Sequence, residues 1–278
     1  MENLGHLDRM IDMAMEEDLQ KEGDITSESI FTGKEHTFKL ISKDIGKLCG
    51  KDVFERVMTR TDISVSVRFL HNDGDNIEKG DLVAEVSGPV KSILKAERTA
   101  LNFLSLMSAV ATKTARFVSE AEGKTIILDT RKTIPGFRQL QKYAVRCGGG
   151  MNHRMGLHDM VLIKDNHIDA AGDISTAVSK VRERWGSRFK IEVEARNIQE
   201  VREALNCKVE RILLDNMSNE QLSEAVKLTE QICETEASGN MTLERIRQVS
   251  LTGVDFISVG ELTHSIKAFD FSLKENIK

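Results

Sequence analysis

The feature that most constrains the fold of this chain is an alternation of apolar runs and helical stretches that starts at Thr125. The apolar runs, which we interpret as strands, are Thr125–Leu128, Met160–Ile163, Phe189–Val193, Ile212–Leu214, Gln231–Cys233 and Val254–Val259. The stretches between them show helical spacing and are Phe137–Cys147, Ile174–Trp185, Ile198–Leu205, Asn219–Thr229 and Leu243–Val249. Strands that alternate with helices form parallel sheets, because each helix returns the chain to the start of the next strand. The pattern predicts an open or closed sheet of about six parallel strands.

Charged residues or glycines follow every one of these predicted strands. The segments at the strand ends are Asp129–Lys132, Lys164–His167, Glu192–Glu194, Asp215–Asn216, Glu234–Gly239 and Gly260–His264. In a βα barrel the catalytic residues lie just after the carboxyl ends of the strands. The recurrence of polar ends therefore predicts a barrel with an active site at that mouth.

The region before the alternation has a different pattern, typical of a separate α+β domain. An amphipathic helix is predicted over Leu4–Leu19 and a long helix over Val90–Glu122. Extended segments are predicted near Phe38–Leu48, Ile63–Leu70 and Leu82–Val86. A chain of 278 residues is long enough for two such domains.

Composition excludes several classes of function. The formal charge is −5, and one Trp and one Tyr offer few platforms for stacking bases, so we expect no binding of nucleic acid. No apolar run is long enough to span a bilayer, and the N-terminus lacks the apolar core of an export signal. The four cysteines form no CxxC pair and are interpreted as reduced thiols. Together these features predict a cytoplasmic protein.

Against this acidic background, the stretch 125–167 is rich in basic side chains. It holds seven Lys or Arg residues and three acids, which indicates an anionic ligand. Arg131, Arg154 and Lys164 follow neighbouring predicted strands, together with His153. A guanidinium group binds a carboxylate through two parallel hydrogen bonds, so this cluster suits a small ligand with more than one carboxylate.

The other strand ends suit phosphate groups. Glu194 and Asp215 end neighbouring strands, and such a carboxylate pair can hold Mg²⁺ that carries a diphosphate. Ser238 and Gly239, with Gly260 and His264 after the last strand, lie where βα barrels commonly bind a phosphate through backbone N–H groups. Carboxylate, diphosphate and phosphate subsites together indicate phosphoribosyl transfer to an acidic acceptor.

Several longer strings resemble one enzyme family, nicotinate-nucleotide pyrophosphorylase (carboxylating), also called quinolinate phosphoribosyltransferase. They are EEDLQKEGDIT near the start, ERTALNFLSLMSAVAT, LDTRKTIPGFRQLQKYAVRCGGGMNHRMGLHDMVLIKDNHI, IEVEA and SVGELTHS. The resemblance covers nearly the whole chain. It implies that quinolinate and phosphoribosyl diphosphate are converted to nicotinate mononucleotide, diphosphate and CO2, a step of de novo NAD synthesis.

The resemblance also implies roles for individual residues. Those expected to bind quinolinate are Arg98, Arg131, His153, Arg154 and Lys164. Those expected at the phosphoribosyl group and its Mg²⁺-bound diphosphate are Lys132, Glu194 and Asp215, with Glu194 and Asp215 as metal ligands. Those expected at the 5′-phosphate are Ser238, Gly239, Gly260 and His264. Among these, Lys132, Lys164, Glu194 and Asp215 are expected to be catalytic.

The resemblance further implies an α/β sandwich over residues 1–105, joined by the tail 266–278, and an open (β/α) barrel over residues 106–265. It implies a homodimer or larger homo-oligomer in which Arg98 completes the neighbour's site. Arg98 lies on an apolar helix, and we expect it to be buried. Two alternatives stay open: a related phosphoribosyltransferase-like protein of molybdenum transport, and a non-catalytic metabolite sensor. Either would be expected to lack part of this residue set.

Overall fold

The computed structural model describes residues 4–230 and 232–275. The chain divides into two compact units. The first comprises the residues up to Lys113 and those from Ile266 onward, and the second comprises Thr114–Ser265. Each unit has its own sheet.

The first unit combines helices with antiparallel strands. Its helices are α1 (Leu4–Leu19), α2 (Ile25–Ile30), α3 (Lys51–Thr61) and α4 (Val90–Glu120), the last of which ends in the second unit. Its strands are β1 (Glu35–Ser42), β2 (Gly46–Lys47), β3 (Ser66–Phe69), β4 (Asn76–Ile77), β5 (Leu82–Pro89) and β12 (Phe271–Lys274). Strands β12, β1, β5 and β3 form one sheet in that order, and β2 pairs with β4.

Helices α2 and α3 are absent from the sequence prediction, whereas the return of the C-terminal tail to this unit was implied by the family resemblance. Helix α3 buries Val53, Phe54, Val57 and Met58 on one face. The Asp73 carboxylate accepts hydrogen bonds from the Gly50 and Lys51 N–H groups and so caps the start of α3. Strand β12 brings the C-terminal tail antiparallel to β1, with Leu273 opposite Leu40. Neither the distant cap nor the pairing of the tail leaves a local pattern in the sequence.

The second unit is an open barrel. Its strands are β6 (Ile126–Leu128), β7 (Val161–Ile163), β8 (Ile191–Ala195), β9 (Arg211–Asp215), β10 (Glu234–Ser238) and β11 (Phe256–Ser258). Its helices are α5 (Arg138–Cys147), α6 (Asp165–Ala171), α7 (Ile174–Trp185), α8 (Ile198–Asn206), α9 (Asn219–Thr229), α10 (Leu243–Ser250) and α11 (Glu261–His264).

The strand order is β6-β11-β10-β9-β8-β7, and every pairing is parallel. Successive strands therefore lie side by side, and β6 and β7 are the two edges. Met151, in the segment that joins these edges, forms a single parallel bridge with Leu128. The predicted fold class is confirmed: an N-terminal α/β unit with an antiparallel sheet, and an open barrel of six parallel strands.

One predicted strand is wrong. The apolar run Gln231–Cys233 was expected to form the fifth strand, but that strand is β10, Glu234–Ser238. Gln231 itself lies outside the described residues. The error has a physical cause, because β10 carries the fully buried Glu236, whose carboxylate is paired with Arg211. A strand that buries paired charge has no apolar run to mark it.

Within the described part of the chain, no helix has the length and apolar character needed to cross a membrane.

Candidate active site

A cavity of about 620 Å³ opens at the carboxyl ends of the barrel strands. It draws side chains from all six strand ends. Its lining is Thr130, Arg131, Lys132, His153, Arg154, Leu162, Lys164, Asp165, Glu194, Leu213, Asp215, Asn216, Glu236, Ser238, Gly239, Asn240 and Ser258. The volume is ample for a small ligand bound with a second substrate.

The structure brings most of the predicted site residues into this one cavity. Those that line it are Arg131, Lys132, His153, Arg154, Lys164, Glu194, Asp215, Ser238 and Gly239. Gly260 and His264 lie beside it, since a Cβ at Gly260 would be 3.1 Å from Lys132 Cδ and 3.2 Å from His264 Nε2. Arg98 is in the first unit and is exposed in this chain, so the expectation that it is buried is wrong.

Two carboxylates mark one part of the cavity. Glu194 lies in β8 and Asp215 ends β9, the neighbouring strand. Burial raises the pKa of Glu194, the Lys164 ammonium group acts against that rise, and the charge of Asp215 adds to it. Lys164 Nζ is 4.0 Å from Glu194 Oε2. Oxygen ligands from two adjacent strands fit Mg²⁺, which keeps several of its waters when it binds a phosphorylated substrate.

The loops after β9 and β10 pack closely and are joined by hydrogen bonds beside these carboxylates. Gly239 has a φ of 93°, and a Cβ there would be 2.2 Å from Asn216 Oδ1. The Asn216 side chain donates from Nδ2 to Asp215 Oδ2 at 2.7 Å and accepts at Oδ1 from Asn240 Nδ2 at 3.3 Å. The Arg245 guanidinium group, in α10, donates to the Gly239 and Met217 carbonyls and so ties the two loops. Asn216 and Arg245 were not predicted from sequence.

Lys132 is held from the other edge of the barrel. Its carbonyl accepts a hydrogen bond of 2.7 Å from Thr263 Oγ1 in α11. Gln141, fully buried in α5, donates to the Thr263 carbonyl and accepts from the Ile134 N–H. These bonds join the loop after β6 to α11, which follows β11. They hold the Lys132 side chain next to the Gly260–His264 segment at the mouth of the barrel.

The two predicted arginines are neighbours in the cavity, and Arg154 is buried while Arg131 is partly exposed. Arg154 is 9% exposed, and its Nη1 donates to the Met160 carbonyl at 3.2 Å. Burial lowers the pKa of Arg154, and the positive charge of Arg131 lowers it further. Arg131 Nε is buried with no hydrogen-bond partner in the described structure. Two neighbouring guanidinium groups repel each other unless an anion lies between them, so this part of the cavity favours a carboxylate ligand.

Below the arginines is a buried charged cluster that sequence reasoning missed. His153 Nε2 is 2.9 Å from Glu192 Oε2 and 3.5 Å from Glu236 Oε2, and both carboxylates are fully buried. Arg211 Nη1 is 3.0 Å from Glu236 Oε2, and its guanidinium carbon lies 4.0 Å from the centre of the Phe256 ring. The sequence does contain a pattern that indicates this cluster. Glutamates alternate with other residues in two of the strands, with Glu192 in IEVEA and Glu236 in ETEAS.

The cluster shifts the pKa of each of its members. Burial raises the pKa of Glu192, and the charge of Glu236 raises it further, to about 7. Burial also acts to raise the pKa of Glu236, but His153 and Arg211 outweigh it and the pKa is lowered. Burial disfavours the charged imidazole, yet the two carboxylates outweigh burial and raise the pKa of His153 to about 9.

A backbone contact joins this cluster to the arginine that follows His153 in the chain. The Arg154 N–H lies 2.7 Å from His153 Nδ1, so the imidazole and the Arg154 backbone are held together.

A buried ion pair fixes the backbone that carries His153. Asp129, after β6, and Lys142, in α5, are fully buried and in direct contact. Asp129 Oδ1 accepts from the His153 N–H at 3.0 Å, and Lys142 Nζ donates to the His153 carbonyl at 2.9 Å. Asn152 donates to Asp129 Oδ2 at 2.5 Å. Lys142 belongs to the basic stretch noted in the sequence, but it serves the fold and not the ligand.

Two groups of side chains could hold a metal ion among the described residues of the barrel. Glu194 and Asp215 are the pair predicted from sequence. His153, Glu192 and Glu236 each offer a ligand atom, and these atoms lie within 4.8 Å of one another. In the second group the imidazole already contacts both carboxylates, and Arg211 supplies a further positive charge. The first pair therefore fits a metal better.

The fold and the cavity define a class: an α/β enzyme with an open barrel whose mouth binds anionic small molecules. Comparison with known proteins makes the class specific. The family model for the C-terminal domain of quinolinate phosphoribosyl transferase matches residues 110–274, and the model for its N-terminal domain matches residues 24–108. The chain therefore belongs to the quinolinate phosphoribosyltransferase family.

Individual relatives agree over most of their length. A probable nicotinate-nucleotide pyrophosphorylase (carboxylating) from Bacillus subtilis (strain 168) is 41% identical over 252 residues, which cover 90% of this chain and 87% of that protein. The chloroplastic nicotinate-nucleotide pyrophosphorylase (carboxylating) of Arabidopsis thaliana is 42% identical over 287 residues, covering 96% and 82%. The crystal structure of NadC from Streptococcus pyogenes has a TM-score of 0.95 at 38% identity, covering 99% and 97%.

Proposed function

We propose that this chain catalyses phosphoribosyl transfer to quinolinate with decarboxylation. Quinolinate and phosphoribosyl diphosphate give nicotinate mononucleotide, diphosphate and CO2, a step of NAD synthesis. Membership of the family supports the reaction, since relatives that the chain matches over most of their length are named for it.

The observation that carries the proposal is the meeting of two kinds of subsite in one cavity. Arg131 and Arg154 place two neighbouring guanidinium groups, that of Arg154 desolvated, where they suit adjacent carboxylates. Glu194 and Asp215 line the same cavity and suit a metal-bound diphosphate. A dicarboxylate and a phosphorylated sugar bound side by side are the two substrates of the proposed reaction.

The first step forms the bond between the pyridine nitrogen and C1′ of the ribose and breaks the bond from C1′ to the diphosphate oxygen. Positive charge develops on the ribose ring as the diphosphate leaves. Carboxylates at the mouth offset that charge, and Lys132 stabilises the departing oxygens. The pyridine nitrogen is a weak nucleophile beside a carboxylate, so the arginines contribute mainly by holding it in line.

Decarboxylation follows from the product of this transfer. The pyridine nitrogen is then quaternary and positively charged. When the bond from C2 to its carboxylate breaks, CO2 leaves and the electron pair stays on C2, next to the cationic nitrogen. A proton from water then completes nicotinate mononucleotide. The electron sink is the ring itself, so the step needs no separate cofactor.

We propose Mg²⁺ as the metal of the reaction, bound to Glu194 and Asp215. When bound, it would neutralise charge on the diphosphate and so favour its departure. Lys164, 4.0 Å from Glu194, would lie beside the same group. In this proposal Ser238 and Gly239, with Gly260 and His264, bind the 5′-phosphate through backbone N–H groups and the imidazole.

We also propose a homodimer or larger homo-oligomer with shared sites, and a cytoplasmic location. Arg98 is exposed on α4, which leaves its guanidinium group available to a neighbouring chain. Cys207 and Cys233 are free thiols, as suits a reducing compartment. Gel filtration with light scattering tests the oligomer, and cell fractionation tests the location.

The function is tested by release of labelled CO2 from quinolinate labelled in its 2-carboxylate. Release is expected only with phosphoribosyl diphosphate and a divalent cation, and excess chelator is expected to stop it. A metabolite sensor would bind quinolinate without releasing CO2. A phosphoribosyltransferase-like protein of molybdenum transport would not respond to quinolinate. CO2 release that continues unchanged in excess chelator would contradict the metal role while leaving the reaction intact.

A further inference from the structure

We infer that Arg138 is a positioning residue that fixes the separation of Arg131 and Arg154 and so favours a ligand with two neighbouring carboxylates. The inference rests on the proposed function and deepens it, because it concerns how that site selects its acidic substrate. It comes from the hydrogen bonds of one guanidinium group that does not itself line the cavity, and from the two loops that this group joins.

The first loop, residues 130–133, follows β6 and carries Arg131. It is closed by its own hydrogen bonds, since the Thr133 N–H donates to the Arg131 carbonyl at 2.9 Å and the Lys132 N–H donates to Thr130 Oγ1 at 3.0 Å. These bonds set the shape of the loop. They do not set its distance from the segment that carries the second arginine.

The second loop, residues 154–160, precedes β7 and begins with Arg154. It too is closed by its own hydrogen bonds. The Asp159 carboxylate accepts the Met155 N–H at 2.6 Å, and Arg154 Nη1 donates to the Met160 carbonyl at 3.2 Å. Each arginine of the pair therefore belongs to a loop with a defined shape, and the separation of the pair depends on what joins the two loops.

Arg138 donates hydrogen bonds to both loops. Its Nη2 donates to the Arg131 carbonyl at 3.3 Å, and its Nε donates to Thr133 Oγ1 at 3.0 Å. Its Nη1 donates to the Met155 carbonyl at 3.1 Å, one residue after Arg154. A guanidinium group is planar and holds its donors in a fixed fork, so the acceptors on the two loops are kept at a fixed distance from each other.

The place of Arg138 in its helix indicates that the side chain serves these loops. Helix α5 begins at Arg138, and its first turn holds no acidic residue. A positive charge is unfavourable at the N-terminus of a helix, where the aligned peptide groups already leave a partial positive charge. The three acceptors are two carbonyls and a hydroxyl, so these contacts are not ion pairs. Helix stability alone would not favour an arginine here, whereas the hydrogen bonds to the loops do.

The joined loops hold two like charges near each other before a ligand arrives. The positive charge of Arg131 lowers the pKa of Arg154, in addition to the larger effect of burial. Without a ligand, this repulsion favours separation of the two guanidinium groups. Arg138 opposes separation because it is bonded to the backbone of both loops. A ligand whose two carboxylates match the spacing then binds with less reorganisation of the protein.

Arg138→Lys tests the inference, because it keeps the positive charge and removes the fork of donors. In steady-state kinetics we expect the KM for quinolinate to rise at least about tenfold, while the KM for phosphoribosyl diphosphate stays within about twofold. The second KM is expected to hold because the Lys132 carbonyl has its own hydrogen bond from Thr263. An unchanged KM for quinolinate, or equal rises in both KM values, would overturn the inference.

Arg182→Lys is the matched control. Arg182, in α7, likewise donates to two carbonyls, those of Cys207 at 2.5 Å and Lys208 at 2.7 Å, and neither of these residues lines the cavity. This variant loses the same kind of fork, and both of its KM values are expected to stay within about twofold of the unchanged protein. If it raises the KM for quinolinate as much as Arg138→Lys does, the effect is not specific to the two loops and the inference is wrong.

A second readout needs no ligand. Hydrogen exchange of the ligand-free protein, followed by mass spectrometry, should be faster over residues 130–133 and 154–160 in Arg138→Lys and unchanged there in Arg182→Lys. Thr133→Val removes only the acceptor of Arg138 Nε, and it should shift both exchange and the KM for quinolinate in the same direction by less. Unchanged exchange would overturn the inference. If the unchanged protein does not use quinolinate, the proposed function fails, yet the exchange data still decide whether Arg138 joins the loops.

Discussion

Single side chains decide which ligand each part of the cavity can accept. Arg131 and Arg154 are neighbours in the cavity: Arg154 is buried, and Arg131 Nε has no hydrogen-bond partner in the described structure. Such a pair is unfavourable until an anion binds. The free energy lost in burying the charges is therefore recovered in ligand binding, which is why the pair predicts selectivity for a dicarboxylate.

Arg131→Ala and Arg154→Ala are each expected to weaken quinolinate binding while binding of phosphoribosyl diphosphate is nearly kept. Loss of a charge-assisted contact should cost about 2–4 kcal/mol, or roughly thirty- to a thousandfold in affinity. Titration calorimetry with each ligand checks this. Equal losses for both ligands would show that the arginines serve the fold or bind the phosphate.

Gly239 is the residue at which a methyl group should do most harm. At a φ of 93° an L side chain is strained, and the added Cβ would also be 2.2 Å from Asn216 Oδ1. Gly239→Ala should displace Asn216 and raise the KM for phosphoribosyl diphosphate, because the loops after β9 and β10 would separate. Steady-state kinetics with saturating quinolinate measures this.

Gly172→Ala is the control for Gly239→Ala, since Gly172 has a φ of 108° but open space around the position of a Cβ. It should share the backbone strain, which costs on the order of 1–3 kcal/mol of stability, without the change in KM. If the two variants raise KM equally, the clash with Asn216 is not the cause.

At the level of elements, buried hydrogen bonds join the strand ends to the helices that follow. The contact of β6 with α5 depends on the Asp129–Lys142 pair, which also holds the His153 backbone. In the same way Arg245 of α10 holds the loops after β9 and β10. The helices thus position the catalytic loops as well as cover the sheet.

Lys142→Met should destabilise the barrel by about 3–5 kcal/mol, because it leaves the buried Asp129 carboxylate without its counter-charge. The double variant Lys142→Met with Asp129→Asn should recover part of that loss, since no isolated charge remains. Urea unfolding followed by circular dichroism gives the free energies. A double variant less stable than Lys142→Met alone would mean that hydrogen bonding, not charge, controls the pair.

For the molecule as a whole, the proposed assembly completes each site with a residue of a second copy. Arg98 is exposed on α4 and belongs to the unit that does not form the cavity. Arg98 does not line the cavity of its own chain. The proposed dimer gives it one, because an exposed guanidinium group can reach a carboxylate bound to the neighbour.

Complementation tests this sharing. Arg98→Ala and Lys164→Ala proteins should each be nearly inactive. After mixing and exchange, random pairing makes about half of the dimers mixed, each with one intact site in two, so activity should return towards roughly a quarter of wild type. If exchange is shown by labelled subunits and no activity returns, Arg98 serves its own chain.

Local patterns in the sequence were enough to predict the parallel barrel and most of the cavity. Strand periodicity and the polar residues after each strand are local signals, and they placed residues such as Arg131, Glu194 and Asp215 at one mouth. The resemblance added the reaction. These features can be predicted from the sequence because side chains that follow consecutive parallel strands lie at the same edge of the sheet.

How those residues are held depends on contacts between elements that are distant in sequence. The strand β10 was missed because its buried Glu236 depends on His153 and Arg211, which are distant in sequence. The tether from Arg245, the Asp129–Lys142 pair and the exposure of Arg98 likewise depend on contacts between elements. A buried charge is stable only beside its partner, and no local pattern of residues records where that partner will lie.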